Sequence, residues 1–516
     1  MCNIKAMTGS HSKLKTACLS AARGIQDECS ATIGDASSRP VSQPDDESFH
    51  GCGEPLVQLL GRQASQLLTL SSRPLASKDG KNDTAHLILR RLEDIITASY
   101  ARFYAYLFKE LPVCWRLLYT DATILKFAVL YLSYLGDIRS QKGAEEIQSG
   151  LEEMVKTLDL ALILAGGAGA RRGRRWINEA FGLLEDALQA RPLSSDDGSA
   201  EGHRPHKRRK GLPDDEEREA RLWDDQPSFS THEPFTPPVR YPIKRTDPIS
   251  LEAFQAYMTR QANPSRPGPL PLVITGLTTS WPARTTHPWC KPAYLLSRTL
   301  GGRRLVPVEL GRSYVDAGWG QKIIPLAELL HTHIDPPAPG TTTPTTTAYL
   351  AQHPLLSQLP ALRADVLIPD YCYSAPPGHP TDPSQDQPEL DAPQLNAWLG
   401  PAGTITPLHT DPYHNLLVQV VGRKYVRLYA PWETGRMRAR GREGGVEMGN
   451  TSEVDVGVVE GWDDDEGGRG EGDEGFSEVP FLDCILEPGN TLYIPIGWWH
   501  YVRGLSVSFS VSFWWN

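Results

Sequence analysis

The chain has 516 residues and 40% hydrophobic content, with 13 Trp and 18 Tyr, which is enough apolar material for a substantial core and for two or three domains. Its formal net charge of −10 argues against a protein that coats nucleic acid through bulk charge, so no direct nucleic-acid binding is expected. No run reaches the roughly 18 apolar residues needed to span a bilayer, so no membrane role is expected either.

The eight cysteines are scattered, without a CxxC pair. That pattern fits reduced thiols rather than a disulfide framework, and it offers no zinc-binding finger. The N-terminus carries basic residues but no apolar h-region, against a secretory signal peptide. Residues 1–51 are rich in Ser, Gly and Asp and read as disordered. From 52 to 192 the pattern becomes helical. "NDTAHLILRRLEDIITASYARF" offers a cap at Asn82–Thr84, then Ile88, Leu92, Ile95, Ile96 and Phe103 at helical spacing. "TILKFAVLYLSYLG", "EEIQSGLEEMVKTLDLALILAG" and "RRWINEAFGLLEDALQA" continue it, so an all-α domain is predicted, a possible docking unit for another protein.

Residues 193–240 read as a charged linker. Its "RPHKRRK", Arg204–Lys210, suits a nuclear-import signal, and a solvated charge run is the plain alternative. From 241 to 516 short β-type runs follow, among them "PLVITG", "NLLVQVV", "KYVRLYA", "TLYIPIG" and "LSVSFSVSFWW", separated by Gly/Pro turns. Many short strands without regular intervening helices predict a barrel or sandwich, hence an α+β chain overall. At the C-terminus Leu505, Val507, Phe509, Val511 and Phe513 alternate with serines, a period-2 strand with one face in a core. A Pro/Thr spacer (336–347) and an acidic loop insert (near 436–478) interrupt the region, and the Gly/acidic stretch 461–475 of the latter is expected as a solvated loop on the rim.

"PLHTDPYHN", Pro407–Asn415, is where chemistry is concentrated. Residues i and i+2 of a strand share a face, so His409 and Asp411 can address one ion. His414 has the opposite parity and reads as a bystander on the rim. A lone HxD is a weak signal, and a surface strand end is its plain reading. A two-His-one-carboxylate triad needs a third ligand from elsewhere, and "LYIPIGWWHYV" supplies His500 after a Pro/Gly turn. In "NLLVQVVGRKYVRLYA" a hairpin turning near Gly422 gives Lys424 the parity of Val426 and Leu428. If those two are core, a lysine there demands an anionic partner, such as the distal carboxylate of a small dicarboxylate. If the register differs, Lys424 merely starts an exposed strand.

With "PLVITGLTTSWPA", "VPVELGRSY", "YLAQHPLL", "IPDYC", "NAWLGPAGTITPLHTDPYHNLLVQVVGRKYVRLYAP" and "LYIPIGWWHYVRGLSVSFSVSFWW", the region from about 240 to 516 resembles the jumonji-C 2-oxoglutarate oxygenases. The resemblance implies a cupin-like double-stranded β-helix (jelly-roll) that holds Fe(II) through His409, Asp411 and His500, with 2-oxoglutarate and O2 as cosubstrates. Tyr349, Thr406 and Lys424 match the positions that hold the distal carboxylate of 2-oxoglutarate, and Asn415 one near its chelating end. Glu309, Tyr314 and Trp398 match residues lining the substrate pocket. Thr406 stands where relatives carry Ser, and Tyr413 and His414 replace amides. The preferred function is hydroxylation of arginyl residues in proteins. Demethylation of methyl-lysine on a histone tail by the same iron chemistry is the alternative, and a non-catalytic cupin-like interaction protein is the third reading. A nuclear location, with cytoplasm as a second, goes with these.

Overall fold

The computed structural model describes residues 2–35, 48–72, 78–106, 110–189, 227–260, 266–315, 318–335, 347–443, 446–464 and 475–516. The Arg204–Lys210 cluster, nearly all of the Pro/Thr spacer and most of the acidic run lie outside them. The chain divides into two compact units, Met1–Gly211 with Arg303–Leu305, and Leu212–Gly302 with Val306–Asn516. Among the described residues no helix is long and apolar enough to cross a membrane.

The first unit is helical: α1 (Cys2–Asp35), α2 (Glu54–Ser72), α3 (Lys78–Phe103), α4 (Val113–Arg139), α5 (Ala144–Ala165) and α6 (Gly173–Gln189). Helix α1 corrects the expectation of a disordered N-terminus. Leu14, Cys18, Ala21, Ala22, Ile25 and Cys29 are all buried and recur at helical spacing. Small residues and cysteines carry this stripe, so composition hid it. Within the unit Asp121 is fully buried, and Arg172 neutralises it with two bonds of 3.1 and 2.6 Å while also reaching Glu28 at 2.7 Å. A buried carboxylate needs such a partner.

The second unit has fifteen strands: β1 (Arg245–Thr246), β2 (Leu272–Thr275), β3 (Leu305–Leu310), β4 (Gly320–Pro325), β5 (Ala348–His353), β6 (Gln394–Gly400), β7 (Ile405–His409), β8 (His414–Val421), β9 (Lys424–Tyr429), β10 (Arg442–Glu443), β11 (Val446–Glu447), β12 (Phe481–Leu486), β13 (Asn490–Ile494), β14 (Trp499–Gly504) and β15 (Ser508–Trp515). Nine form one sheet in the order β1-β2-β13-β8-β15-β6-β5-β3-β4, and four form a second, β12-β9-β14-β7. Val273, Leu417, Leu492 and Ile494 of the large sheet pack against Val426, Leu428, Leu486 and Val502 of the small one. This is the two-sheet jelly-roll arrangement, and the space between the sheets holds the site.

Strand β15 shows why alternation alone understates burial. Phe509, Val511 and Phe513 join a core with Trp281, Trp289 and Phe254, the last on α7 (Leu251–Thr259). The intervening Ser508, Ser510 and Ser512 are also fully buried. Their hydroxyl face meets other polar groups, as where Ser510 donates to Gln419 at 2.7 Å and Trp398 donates to Ser512 at 3.0 Å. Both faces of the strand are therefore interior.

Two boundaries differ from expectation. The stretch read as the end of a linker belongs to the second unit: Phe229 is buried, its N–H donates to the Cys290 carbonyl, and Glu233 pairs with Arg423 at 2.8 Å. The polar composition around it masked a single anchoring aromatic. The insert near 436–478, expected as a loop, is structured where it is described, while most of 461–475, the stretch expected as solvated, lies outside the described residues. Asn450–Ser452 lies beside β7, and Asp455, Glu460 and Asp463 pair with Arg312, Arg427 and Arg503.

Candidate metal centre

Strands β7 and β14 run antiparallel with His409 directly opposite His500. The register shifts between His500 and Val502, so the four residues of β7 from Thr406 to His409 lie against the three of β14 from His500 to Val502. Such a bulge re-aims side chains, and here it lets Thr406 and His409 line one cavity despite their opposite parity. Pro412 follows the strand, and Asp411 lies just past the strand end.

The imidazole centroids of His409 and His500 are 4.1 Å apart, and the Asp411 carboxylate lies 3.7 Å from Nε2 of His409 and 3.5 Å from Nε2 of His500. One ligand atom from each of the three falls within 4.8 Å of the others. Each histidine is oriented by its own strand: Nδ1–H of His409 donates to the Pro407 carbonyl at 2.7 Å, and Nδ1–H of His500 to the Trp498 carbonyl at 3.0 Å. That tautomer leaves both Nε2 lone pairs aimed at the shared space. Burial, and then the proximity of His500, lower the His409 pKa to about 4, so it is a neutral ligand at pH 7. Burial opposes ionisation of Asp411, but the adjoining His500 and His409 side chains hold its pKa below the usual carboxylate range. Two imidazoles and one carboxylate on one side of a cavity are the donor set of a facial Fe(II) triad.

Lys424 is 2% exposed on the same inner face as Val426 and Leu428, in register with Gly504, Val502 and His500 of β14. Its Nζ donates to the Tyr349 hydroxyl at 3.3 Å, and among the described residues no carboxylate pairs with it. Burial drives its pKa down to about 7. Thr406 hydrogen-bonds to Tyr349, so two hydroxyls and an ammonium converge on a place with no anion. Asn415 is buried with its Oδ1 unpartnered, and its side chain hydrogen-bonds to Asp411. A dicarboxylate fits this arrangement, one end at the lysine and the other toward the metal ligands.

An adjoining cavity of about 280 Å³ shares Tyr349, Trp398, Thr406, His409 and Asp411 with the inner one and adds Glu309 and Tyr314. Glu309 faces Tyr349 across β3 and β5. Burial raises its pKa to about 7 against a hydrogen bond from Trp319. All ten residues singled out from the sequence thus line one of two connected cavities. His414 does not: it is fully buried rather than on the rim, held by the Tyr493 hydroxyl at 2.9 Å and the Pro377 carbonyl at 2.8 Å. Sequence reasoning missed Gln352, Asn450 and Trp514. Trp514 shares the parity of the interior serines, which could have found it. Asn450 sits in the insert set aside as a loop.

Residues 266–516 match the cupin-like domain family. The chain is 37% identical over 288 residues to a lysine-specific demethylase 8 of Danio rerio, covering 55% of this chain and 62% of that protein. It is 41% identical over 246 residues to the lysine-specific demethylase JMJ30 of Arabidopsis thaliana, covering 48% and 50%. It is 36% identical over 276 residues to a Jumonji C domain-containing protein 5 of Drosophila melanogaster, covering 53% and 60%. Residues 266–516 are thus similar to the cupin-like family and to the region they share with these jumonji-C relatives. Jumonji-C domains use Fe(II) and 2-oxoglutarate, and the His409, Asp411, His500 set together with the unpaired Lys424 fits both. The matched part of the chain spans between about half and three-fifths of the length of these relatives.

Proposed function

We propose that the protein is an Fe(II)- and 2-oxoglutarate-dependent oxygenase acting on a cationic side chain of a protein, with methyl-lysine demethylation as the reading its relatives favour. The observation that carries the oxygenase reading is Lys424, a buried cation with no anionic partner among the described residues, in the cavity that also holds three metal-ligating groups. When bound, the metal and 2-oxoglutarate couple O2-dependent oxidation of a substrate C–H bond to decarboxylation of 2-oxoglutarate to succinate and CO2.

The chain's own residues supply position. His409, Asp411 and His500 hold the metal from one side, leaving the other open to the two cavities. Lys424, Tyr349 and Thr406 anchor the distal carboxylate, and Asn415 presents its amide beside Asp411. In the outer cavity Glu309, Tyr314 and Trp398 receive the cation, by charge and by aromatic faces. An N-methyl carbon held there is lost as formaldehyde after oxidation.

Support for demethylation over the arginyl hydroxylation expected from sequence comes from relatives named lysine-specific demethylases. Arginyl hydroxylation stands as the second reading because a carboxylate such as Glu309 can pair two-fold with a guanidinium. The test is to incubate the purified protein with Fe(II), 2-oxoglutarate and peptides containing Arg or methyl-Lys, following succinate and peptide mass. Succinate with loss of a methylene supports demethylation, and succinate with gain of an oxygen supports hydroxylation. No metal-dependent succinate with any peptide supports the non-catalytic reading.

A further inference from the structure

The insert between β9 and β12 lies along the metal-binding segment, and one of its residues engages the link between two of the ligands. Thr410 stands between the ligands His409 and Asp411, and two peptide planes connect them through it. Asn450 holds both. Its backbone carbonyl accepts the Thr410 N–H at 2.8 Å, and its side-chain Nδ2 donates to the Thr410 carbonyl at 3.1 Å. The contact is part of a ladder: Ser452 N–H donates to the Leu408 carbonyl at 2.8 Å, and Thr451 bridges to His409. On its far side the same segment is gripped in turn, by Arg440 N–H to the Thr451 carbonyl at 2.7 Å and Glu453 N–H to the Arg438 carbonyl at 2.9 Å. Thr451 and Ser452 are both buried. The Thr451 hydroxyl also lies 3.3 Å from the hydroxyl of Tyr314, which lines the outer cavity.

We propose that Asn450 is a positioning residue for the metal centre, setting the separation of His409 from Asp411 by clamping both peptide groups of Thr410; this rests on the reading of His409, Asp411 and His500 as metal ligands. The reason is geometric. Asp411 lies beyond the last residue of β7 and Pro412 offers no N–H, so the strand ladder cannot orient the Asp411 peptide. The Asn450 amide supplies the missing restraint. Its backbone bond to Thr410 survives any side-chain change, so a substitution frees the plane on the Asp411 side alone.

The test measures Mn(II) binding by the purified full chain, together with hydrogen exchange of the peptide covering residues 405–413 in the metal-free protein. Asn450→Ala is expected to weaken Mn(II) binding by roughly 10-fold and to speed exchange in that peptide. Asn450→Gln, which keeps the amide, restores most of the affinity. Glu453→Ala, in the same segment but touching neither Thr410 nor the ligands, leaves both readouts unchanged. Wild-type protein that takes up no Mn(II) overturns the metal reading and this proposal with it. Wild-type binding with an unchanged constant in Asn450→Ala overturns the proposal alone. Glu453→Ala behaving like Asn450→Ala, or faster exchange across the whole domain, also overturns it, since the segment would then act only through general stability.

Discussion

His409 and His500 face each other across β7 and β14, and each donates Nδ1–H to the carbonyl two residues earlier in its own strand, Pro407 at 2.7 Å and Trp498 at 3.0 Å. Two residues ninety-one positions apart thus carry the same local restraint, and each ring is held by a carbonyl of its own strand. Most of the ordering entropy of the ligand set is settled by folding, which is what a preorganised site requires. His500→Ala is therefore expected to keep its fold and lose metal. Mn(II) affinity should drop on the order of 100-fold or more, with metal-dependent succinate formation abolished and the melting temperature within a few degrees. Wild-type turnover in this variant would remove His500 from the ligand set.

Lys424 separates cosubstrate binding from metal binding. Lys424→Met keeps the length of the chain and removes its charge. The affinity for 2-oxoglutarate should fall by about 3 kcal/mol, or on the order of 100-fold, while Mn(II) affinity changes little. Titrating both ligands against wild type and variant checks this. Parallel loss of both would assign the lysine a structural role.

The same residue makes stability pH-dependent in the protein without cosubstrate. Its folded pKa, lowered by burial to about 7, lies below the ordinary value of 10.5. Between those values the unfolded chain binds more protons than the folded one, so stability rises with pH across that window, and the penalty is fully present below pH 7. The melting temperature should climb from pH 7 to pH 9 in wild type more steeply than in Lys424→Met. A bound dicarboxylate should flatten the wild-type slope by restoring the charged form. Equal slopes in both proteins would show that the buried lysine keeps an ordinary pKa.

How far the sequence was legible depends on where each restraint sits. Strand runs, the Gly422 hairpin and the parity of Lys424 with Val426 and Leu428 are local, and they are found where period-2 reading puts them. Gly422 has φ +66°, and a Cβ there would collide with the Val507 carbonyl oxygen, so Gly422→Ala should cost roughly 2–4 kcal/mol on chemical denaturation. Strand parity suggested His409, Asp411 and Lys424, and the need for a third ligand suggested His500, while Glu309, Tyr314, Tyr349, Trp398, Thr406 and Asn415 came from motif resemblance, since no periodicity joins residue 309 to residue 500. Helix α1 was missed because Cys18, Ala21, Ala22 and Cys29 form a stripe without large aliphatics at most positions. Asn450 was missed because what sets it apart is two hydrogen bonds to a residue forty positions earlier, from a segment read from sequence only as part of a loop insert.

Glu309 is the residue proposed to give the outer cavity its charge selectivity, and burial moves its pKa in the direction opposite to that of Lys424. Burial raises its pKa to about 7. Below that pH the carboxyl is protonated and offers a cation little; above it the carboxylate is ionised in a half-enclosed space, where pairing with a guanidinium or a methylammonium is worth more than in water. Affinity for a cationic peptide should therefore improve as pH rises through about 7. Glu309→Gln keeps the shape and removes the charge, so it should flatten that rise and weaken binding by about 2 kcal/mol, roughly 30-fold, at pH 8. Its 2-oxoglutarate affinity should be unaffected, because Lys424 lines only the inner cavity and Glu309 only the outer one. Peptide titrations at pH 6 and pH 8 on both proteins decide the matter: a Glu309→Gln variant with the wild-type pH profile would mean that the cation is received elsewhere.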